Sequence, residues 1–253
     1  CMIKKFSELD PTESFKVKDT IKVGCHAVKC YCSQCGGKTI GLKMPGNIYT
    51  CSKCDKNVVP ISGENEFTTS LPYFVVPDSI KNVIGEKPEK LIIIPAYSSI
   101  NRTIPNSYAR YAQNGAIYCT GDGVSAKRYD PATRTRSKIV NCSDICPDKK
   151  KGVCKASATF YFYLPEIDIF SGYKLVTRSE ISIKNIISTL RRLSDKDGNV
   201  SRIMYELAIS EKKRASDGKT YRVLELLPPA MNINELMELK SGEKNIFCIP
   251  KAC

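Results

Sequence analysis

The 253-residue sequence contains no tryptophan and only one histidine, His26, and this shortage limits the chemistry it can perform. It has no Ser-His-Asp order, no His-Glu-x-x-His motif and no paired-carboxylate motif. Residues 120–123 (TGDG) lack the further glycines, the Lys-Ser/Thr pair and the carboxylates that phosphate and calcium loops require. We therefore expect a protein that is not an enzyme.

Long apolar runs are also missing. No stretch of about 18 or more apolar residues occurs, so the sequence predicts no transmembrane helix and no membrane partner. The N-terminal residues lack the charged, apolar and small-residue order of a secretory signal. We expect a soluble, cytoplasmic protein.

Thirteen cysteines stand out against these absences. An odd number, without an export signal and with C-x-x-C pairs, favours thiolate metal ligation over a disulfide framework. Cys32 and Cys35 form one such pair, and Cys51 and Cys54 form another after fifteen intervening residues. This spacing is typical of a zinc ribbon, in which each pair presents two sulfurs to one tetrahedral ion. The nearby Cys25, Cys30 and His26 are interpreted as structural residues, with ligand substitution or redox activity as the alternative.

A second set of cysteines has less regular spacing. Cys119, Cys142, Cys146 and Cys154 lie within 36 residues, between two predicted strands. We expect them to form a second closed four-thiolate zinc site, with buried free thiols as the alternative. Two structural Zn²⁺ ions are thus predicted. Closed sites leave no coordination position for water, so neither ion is expected to be hydrolytic.

The formal net charge is +13 at pH 7, and it remains positive when thiolates and zinc are included. This favours an acidic partner such as nucleic acid or an acidic protein surface, against the simpler interpretation of a lysine-rich soluble surface. Basic residues flanking the second cysteine set form a candidate patch: Lys127, Arg128, Arg134, Arg136, Lys138, Lys149, Lys150 and Lys151. Solvated loops are the alternative for each basic run.

Hydrophobic patterning predicts an α+β fold, mainly an antiparallel sheet with a few helices, stabilised by the two four-cysteine zinc sites. Strands are predicted at residues 15–23, 71–76, 91–94, 158–164, 173–176, 202–209 and 220–227, and helices at residues 80–84, 183–193 and 233–239. A turn at Ser171–Gly172 is expected within the aromatic hairpin, a capping box from Thr177 and Glu180 before the second helix, and loop at residues 96–113. Residues 1–24 and 58–253 are predicted to form the main body, and residues 25–57 an inserted zinc ribbon.

Several short motifs follow one another in a recognisable order. They are residues 21–24 (IKVG), 71–77 (LPYFVVP), 84–95 (IGEKPEKLIIIP), 118–126 (YCTGDGVSA), the three-cysteine segment 142–154, 160–165 (FYFYLP) and 177–190. This order resembles the phage recombination directionality factor-like proteins, which accompany large serine integrases. The likeness covers roughly residues 15–195, and the ribbon departs from the family pattern as an insertion.

The resemblance implies a non-enzymatic protein that binds a large serine integrase on DNA and switches it from integration to excision, in the bacterial host cytoplasm if the gene is phage-encoded. DNA would be contacted through the integrase complex, with basic residues at most assisting. Candidate docking surfaces are the aromatic hairpin, the region of the second cysteine set and the predicted helix, with Ile183, Ile187, Leu190 and Arg191. The alternative function is a zinc-dependent nucleic-acid-binding or transcription-related protein.

Overall fold

Strands dominate the computed structural model, which describes residues 15–112, 116–194, 198–201 and 203–228. The strands are β1 (Val17–Cys32), β2 (Gly37–Lys43), β3 (Tyr49–Cys51), β4 (Asn57–Pro60), β5 (Phe67–Val75), β6 (Lys90–Pro95), β7 (Asn106–Tyr111), β8 (Ile117–Gly121), β9 (Ser125–Asp130), β10 (Thr135–Asn141), β11 (Lys155–Leu164), β12 (Asp168–Thr177), β13 (Tyr205–Lys213) and β14 (Thr220–Leu227). The helices are α1 (Asp78–Ile84), α2 (Ile100–Thr103), α3 (Pro147–Lys150) and α4 (Glu180–Leu193), with a 3₁₀ turn at Pro45–Asn47. The predicted helix at residues 233–239 lies outside the described residues.

The strands join into one branched sheet. Its main path runs β10-β9-β8-β7-β11-β12-β1-β2-β3-β4, while β5 pairs with β1 and the β13–β14 hairpin attaches through β6 to β11. Within the described residues, β1 and β12 form the one parallel pair, and the other ladders are antiparallel. This agrees with the predicted α+β class with a mainly antiparallel sheet.

The long strand β1 takes part in two regions of the sheet. Its first part pairs with β12, with Ile21 opposite Leu175, and its last part pairs with β2, with Cys32 opposite Gly37. The strand therefore runs without interruption across residues 24 and 25, where the sequence predicts the boundary of the inserted ribbon.

The main hydrophobic core lies where the sheet folds over α4. Every second residue of β11 points into it, including Phe160, Phe162 and Leu164, which are at most 1% exposed. Ile186 and Leu190 of α4 are fully buried against the same cluster. The alternation that predicts β11 and the helical spacing that predicts α4 therefore meet in one core.

Three local predictions are wrong, each for a physical reason. The predicted loop at residues 96–113 contains α2 and β7, because the mostly polar β7 is held by pairing with β11 and β8. The aromatic hairpin turns at residues 165–167, and Gly172 lies inside β12, where a Cβ would stand 2.4 Å from the Phe15 ring. The cap of α4 is Ser179, whose Oγ accepts the Ser182 N–H at 3.2 Å; the Thr177 hydroxyl accepts the Ser179 N–H instead.

Among the described residues, no helix is long and apolar enough to cross a membrane.

Candidate metal centre

Two matching turns bring Cys32, Cys35, Cys51 and Cys54 together. Cys32 ends β1 and Cys51 ends β3, and the second cysteine of each pair lies in the turn that follows. Each turn closes on a residue with left-handed backbone, Gly36 at φ 67° in the first and Asp55 at φ 56° in the second. The Asp55 N–H donates to the Cys51 carbonyl at 2.9 Å. These are the tight turns that C-x-x-C spacing predicts.

The four sulfurs of these cysteines, the ribbon site, have the spacing of a tetrahedral ion site. Cys32 Sγ lies 3.6 Å from Cys54 Sγ, Cys35 Sγ lies 3.8 Å from Cys51 Sγ, and all four sulfurs lie within 4.8 Å of one another. A Zn–S bond of about 2.3 Å places the sulfurs of a tetrahedral site about 3.8 Å apart, whereas a disulfide requires about 2.05 Å. The donor set therefore fits a thiophilic divalent ion and does not fit disulfide bonds.

Neighbouring groups favour the thiolate at Cys51. The Thr39 hydroxyl lies 3.5 Å from Cys51 Sγ, and the Lys53 N–H donates to the same sulfur at 3.5 Å. Burial raises the pKa of the Cys51 thiol, but hydrogen bonds from Thr39 and from the main-chain N–H groups of Lys53 and Cys54 outweigh it and lower the pKa to about 6. A thiolate is the form that binds metal. Sequence patterns give no sign of Thr39, because it reaches Cys51 only through the pairing of β2 with β3.

The other candidates near the ribbon lie outside the four-sulfur group. The Cys30 thiol is buried against Gly41 of β2, where an added Cβ would stand 2.4 Å from its sulfur. Burial raises the pKa of the half-buried Cys25 thiol, which receives a hydrogen bond from the Lys43 main chain. His26 is exposed, with Nδ1 3.9 Å from Glu66. None of the three residues belongs to the four-sulfur group, and whether they have a structural or a redox role stays a prediction.

The second cysteine set is gathered around one small cavity but does not converge as tightly. Cys119 lies on β8, Cys142 directly after β10, Cys146 before α3 and Cys154 before β11. All four line a cavity of about 10 Å³, and burial together with the other three cysteines raises the pKa of Cys154. Among the described residues, only the ribbon cysteines form a group whose ligand atoms all lie within 4.8 Å. Of the two predicted four-cysteine sites, one is therefore gathered into a group that could hold a metal ion.

Two arginines and one aspartate complete this second cavity. Asp148 accepts hydrogen bonds from Arg110 at 2.8 Å and from Arg128 at 3.2 Å, and both guanidinium groups lie over the Tyr118 ring. Arg128 also hydrogen-bonds Cys119, while its Nε is buried with no hydrogen-bond partner in the described part of the chain. The sequence patterns did not point to Arg110 or Asp148. The available signal for Asp148 was its position, as a charged residue that directly follows Cys146-Pro147.

The predicted basic patch is divided by these contacts. Arg128 points to Asp148, and Lys149 pairs with Asp144 at 2.6 Å and lies 3.9 Å from the Tyr108 ring centre. The exposed members lie on β9 and β10, on the turn between them and at the end of α3: Lys127, Arg134, Lys138, Lys150 and Lys151. The side chain of Arg136 lies outside what the structure describes. Arg128 and Lys149 therefore bind groups of the protein itself.

The predicted docking helix is mostly a core element. Ile183 and Leu190 are buried, Ile187 packs half-buried against the same cluster, and Arg191 alone of the four is exposed. In the aromatic hairpin, Phe160 and Phe162 are also buried, while Tyr161 and Tyr163 are half-buried and contact Phe15 edge-on. The exposed apolar side chains that these two elements offer within the described residues include Ile181 of α4 and Val176 of β12, which are 48% and 44% exposed.

A family model described as Gp3-like, recombination directionality factor-like, matches residues 40–229. The match begins inside the ribbon at Ile40 and includes Cys51, Cys54 and the whole second cysteine set. No match was found among curated proteins or among solved structures.

Proposed function

The chain belongs to the recombination directionality factor-like family, and we propose that it binds a large serine integrase and switches that enzyme from integration to excision. The family match over residues 40–229 carries this proposal. The four-thiolate ribbon site supports a structural rather than a catalytic use of metal, since four protein ligands leave no position for water on a tetrahedral ion.

Such a switch needs no chemistry from the factor. The integrase complex has at least two arrangements, and the factor shifts their populations if it binds the excision-competent one more tightly. Each 1.4 kcal/mol of differential binding, about tenfold in affinity, changes the population ratio by the same factor. The activity therefore depends on contact surfaces that distinguish the two arrangements.

Exposed apolar side chains on the described surface support a protein-docking role. On the ribbon, Tyr31 and Val59 face each other across β1 and β4 and are 60% and 77% exposed. Near the second cysteine set, Val124, Ile139 and Ile145 are 69–77% exposed. Exposed apolar groups on both cysteine-bearing regions are typical of surfaces that meet another protein.

We also propose that the metal of the ribbon site is zinc. Four thiolates select soft or borderline ions, and the 3.6–3.8 Å sulfur separations fit the Zn–S distance. Metal analysis of protein purified without added metal tests this assignment. Zinc at one or two equivalents per chain is expected, and iron with a visible charge-transfer spectrum would contradict it.

A second zinc ion at Cys119, Cys142, Cys146 and Cys154 is part of the same proposal. The cavity that these residues line has the size of one ion or water molecule. Four thiolates around Zn²⁺ carry a net charge of −2, and Arg110 and Arg128, which line the same cavity, would offset part of it. Closure would require only that the four sulfurs approach by movement of the residue 142–154 loop.

Recombination tests the main function directly. The full-length protein is co-purified with the large serine integrase encoded nearest to its gene, and attL × attR recombination is measured with and without it. Binding together with excision that depends on the protein is expected. Binding without any change in excision, or no binding, would contradict the directionality role.

A zinc-dependent nucleic-acid-binding protein is the second candidate, favoured by the net charge of +13 and the exposed lysines of β9 and β10. It predicts binding of duplex DNA by the isolated protein, with affinity that falls steeply as salt rises. A mobility shift with the protein alone, together with no effect on integrase, would favour this candidate. In either case we propose a non-enzymatic, cytoplasmic protein.

A further inference from the structure

A groove opens where β1 changes partners. Ile21 is the last β1 residue paired with β12, and from Lys22 onward β1 pairs with β5. Strands β1 and β12 separate at this point. Residues of β13, β14 and the start of α4 line the far side of the groove. The resulting cavity has a volume of about 640 Å³. This volume suits several side chains of a bound ligand.

One wall of the groove is a strand edge that lacks a ladder partner in the described part of the chain, on which Val176 is exposed and Thr177 is buried. Val176 and Thr177 of β12 pair with β11 on one edge, opposite Thr159 and Ala158. On the other edge, the pairing with β1 ends at Leu175, so neither residue has a ladder partner there among the described residues. Both residues line the groove. An extended segment can hydrogen-bond to such an edge and add a short strand.

The groove lining combines apolar surface, hydroxyl groups and positive charge. Its charged or titratable side chains in the described structure are Lys22, His26, Arg178 and Arg222, and no carboxylate lines it. Serine, threonine and aliphatic residues supply the remainder, with no aromatic ring. A ligand that is acidic and partly apolar complements this lining.

Two of these basic groups are open to a ligand. Arg222 is engaged by the Ser70 carbonyl at 3.0 Å and by Glu211 at 3.3 Å, and His26 faces Glu66. Arg178 is exposed, with its guanidinium carbon 5.9 Å from the Tyr111 ring centre. Lys22 is exposed and forms no ion pair within the described residues. Lys22 and Arg178 are therefore the charges that a carboxylate can reach.

We propose that this groove binds an extended, acidic segment of a partner protein. The segment hydrogen-bonds to the Val176–Thr177 edge, places alternate apolar side chains in the groove and directs its carboxylates to Lys22 and Arg178. Identification of the partner as the integrase rests on the function proposed above. A nucleic acid fits less well, because the groove offers two available cations and no aromatic side chain for base stacking.

The first test uses a defined probe and the full chain. A fluorescein-labelled hexapeptide of alternating glutamate and valine is titrated with the protein, followed by anisotropy. The matched hexapeptide of alternating lysine and valine serves as the ligand control. The acidic peptide is expected to bind and the basic peptide not to bind. Absence of acidic-peptide binding up to millimolar protein, or equal binding of both peptides, would overturn the proposal.

A charge-matched pair of variants locates the binding site. Lys22→Glu with Arg178→Glu reverses the two groove charges, while Arg192→Glu with Lys213→Glu makes the same net change near the end of α4 and at the end of β13, at residues that do not line the groove. The four side chains are all exposed, so both variants are expected to fold. The groove variant should bind the acidic peptide at least tenfold more weakly and the control variant less than threefold. Equal weakening would mean a net-charge effect and would overturn the groove assignment.

The integrase provides a separate readout. If the wild-type chain binds integrase, the groove variant should lose at least tenfold in affinity and the control variant should not. Integrase binding that both variants retain would refute the groove as the integrase site while leaving the directionality function standing. Peptide binding at the groove without integrase binding would support the groove and contradict the directionality function. Loss of duplex DNA binding in the groove variant, with peptide binding unchanged, would assign the groove to nucleic acid and refute the proposal.

Discussion

The ribbon site and the second cysteine set each contain four cysteines, but they differ in how closely the four sulfurs approach. In the ribbon site the sulfurs all lie within 4.8 Å of one another, and in the second set they do not. In the ribbon, each C-x-x-C pair sits on one tight turn, and the β2–β3 pairing sets the distance between the two turns. In the second set the ligands come from β8, the end of β10, the start of α3 and the start of β11. Local turns therefore set the geometry of the ribbon site, whereas the second site depends on how distant elements are positioned.

The surroundings of the two sets differ in the same sense. Hydrogen bonds from Thr39 and from main-chain N–H groups hold the Cys51 sulfur in place. In the second cavity, Asp148 pairs with two arginines that line the cavity together with the four cysteines. Hydrogen bonds to a metal ligand orient that ligand, whereas the charged groups of the second cavity are paired with one another. The following predictions separate these two behaviours.

The largest effect is expected from Cys51→Ser. Cys51 is fully buried and its sulfur contacts Cys35, Thr39 and the Lys53 N–H, so the variant removes one ligand from the ribbon site. We expect loss of one zinc per chain and at least about 4 kcal/mol of the free energy of unfolding. Metal analysis and chemical denaturation measure the two quantities.

Cys25→Ser is the matched control for that variant, since Cys25 is a half-buried thiol on β1, the strand that ends at Cys32, and lies outside both sets. It should keep its full zinc content and lose less than about 1 kcal/mol. A Cys51→Ser protein with the zinc content of the control would show that the ribbon sulfurs do not bind metal.

The ribbon also shows how far the sequence alone could lead. Spacing of Cys32, Cys35, Cys51 and Cys54 was sufficient, because a C-x-x-C turn is a local structure. Strands β8 to β10 were not foreseen, because their residues are largely polar on both faces, as in Lys127-Arg128 and Thr135-Arg136. These strands are stabilised by pairing with one another and by the cysteine cavity that they help to line. Neither feature produces an alternating hydrophobic pattern in the sequence.

Turn and cap positions failed for a related reason. Ser171–Gly172 has turn-forming residues, but the chain turns at residues 165–167, and Gly172 is needed where Phe15 crosses β12. Thr177 and Ser179 are both acceptable caps for α4, and only the end of the β11–β12 ladder at Thr177 decides between them. In both cases the sequence allows two local positions for the turn or the cap, and contacts with distant residues determine which one forms.

Cys142→Ser is expected to have the second-largest effect if the second set binds zinc. The variant should then lose one zinc per chain and about 3 kcal/mol or more of unfolding free energy. Without metal, replacing a buried thiol by a hydroxyl should cost only about 1–2 kcal/mol and leave the zinc content unchanged. Metal analysis alone therefore decides whether the two cysteine sets are equivalent.

Asp148→Asn tests the ionic network of the second cavity. The amide keeps the size of the side chain but removes the charge that pairs with Arg110 and Arg128, and we expect a loss of about 1–2 kcal/mol in unfolding free energy. Thermal denaturation in parallel with Asp144→Asn provides the control, because Asp144 is 94% exposed and should contribute less than about 0.5 kcal/mol. Equal shifts in the two variants would show that the network adds nothing beyond surface charge.

Thr39→Val gives the smallest change in stability and the sharpest view of how the ribbon differs from the second set. Valine has the shape of threonine and keeps the buried position on β2, but it cannot donate a hydrogen bond to the Cys51 sulfur. We expect zinc affinity, measured by competition with a chromogenic chelator, to fall about tenfold. The loss in unfolding free energy of the zinc-loaded protein should stay near 1 kcal/mol. Thr39→Ser retains the hydroxyl and should recover most of the affinity, since the ribbon site needs the hydrogen bond and not the methyl group; equal affinity losses in the two variants would instead attribute the effect to packing on β2.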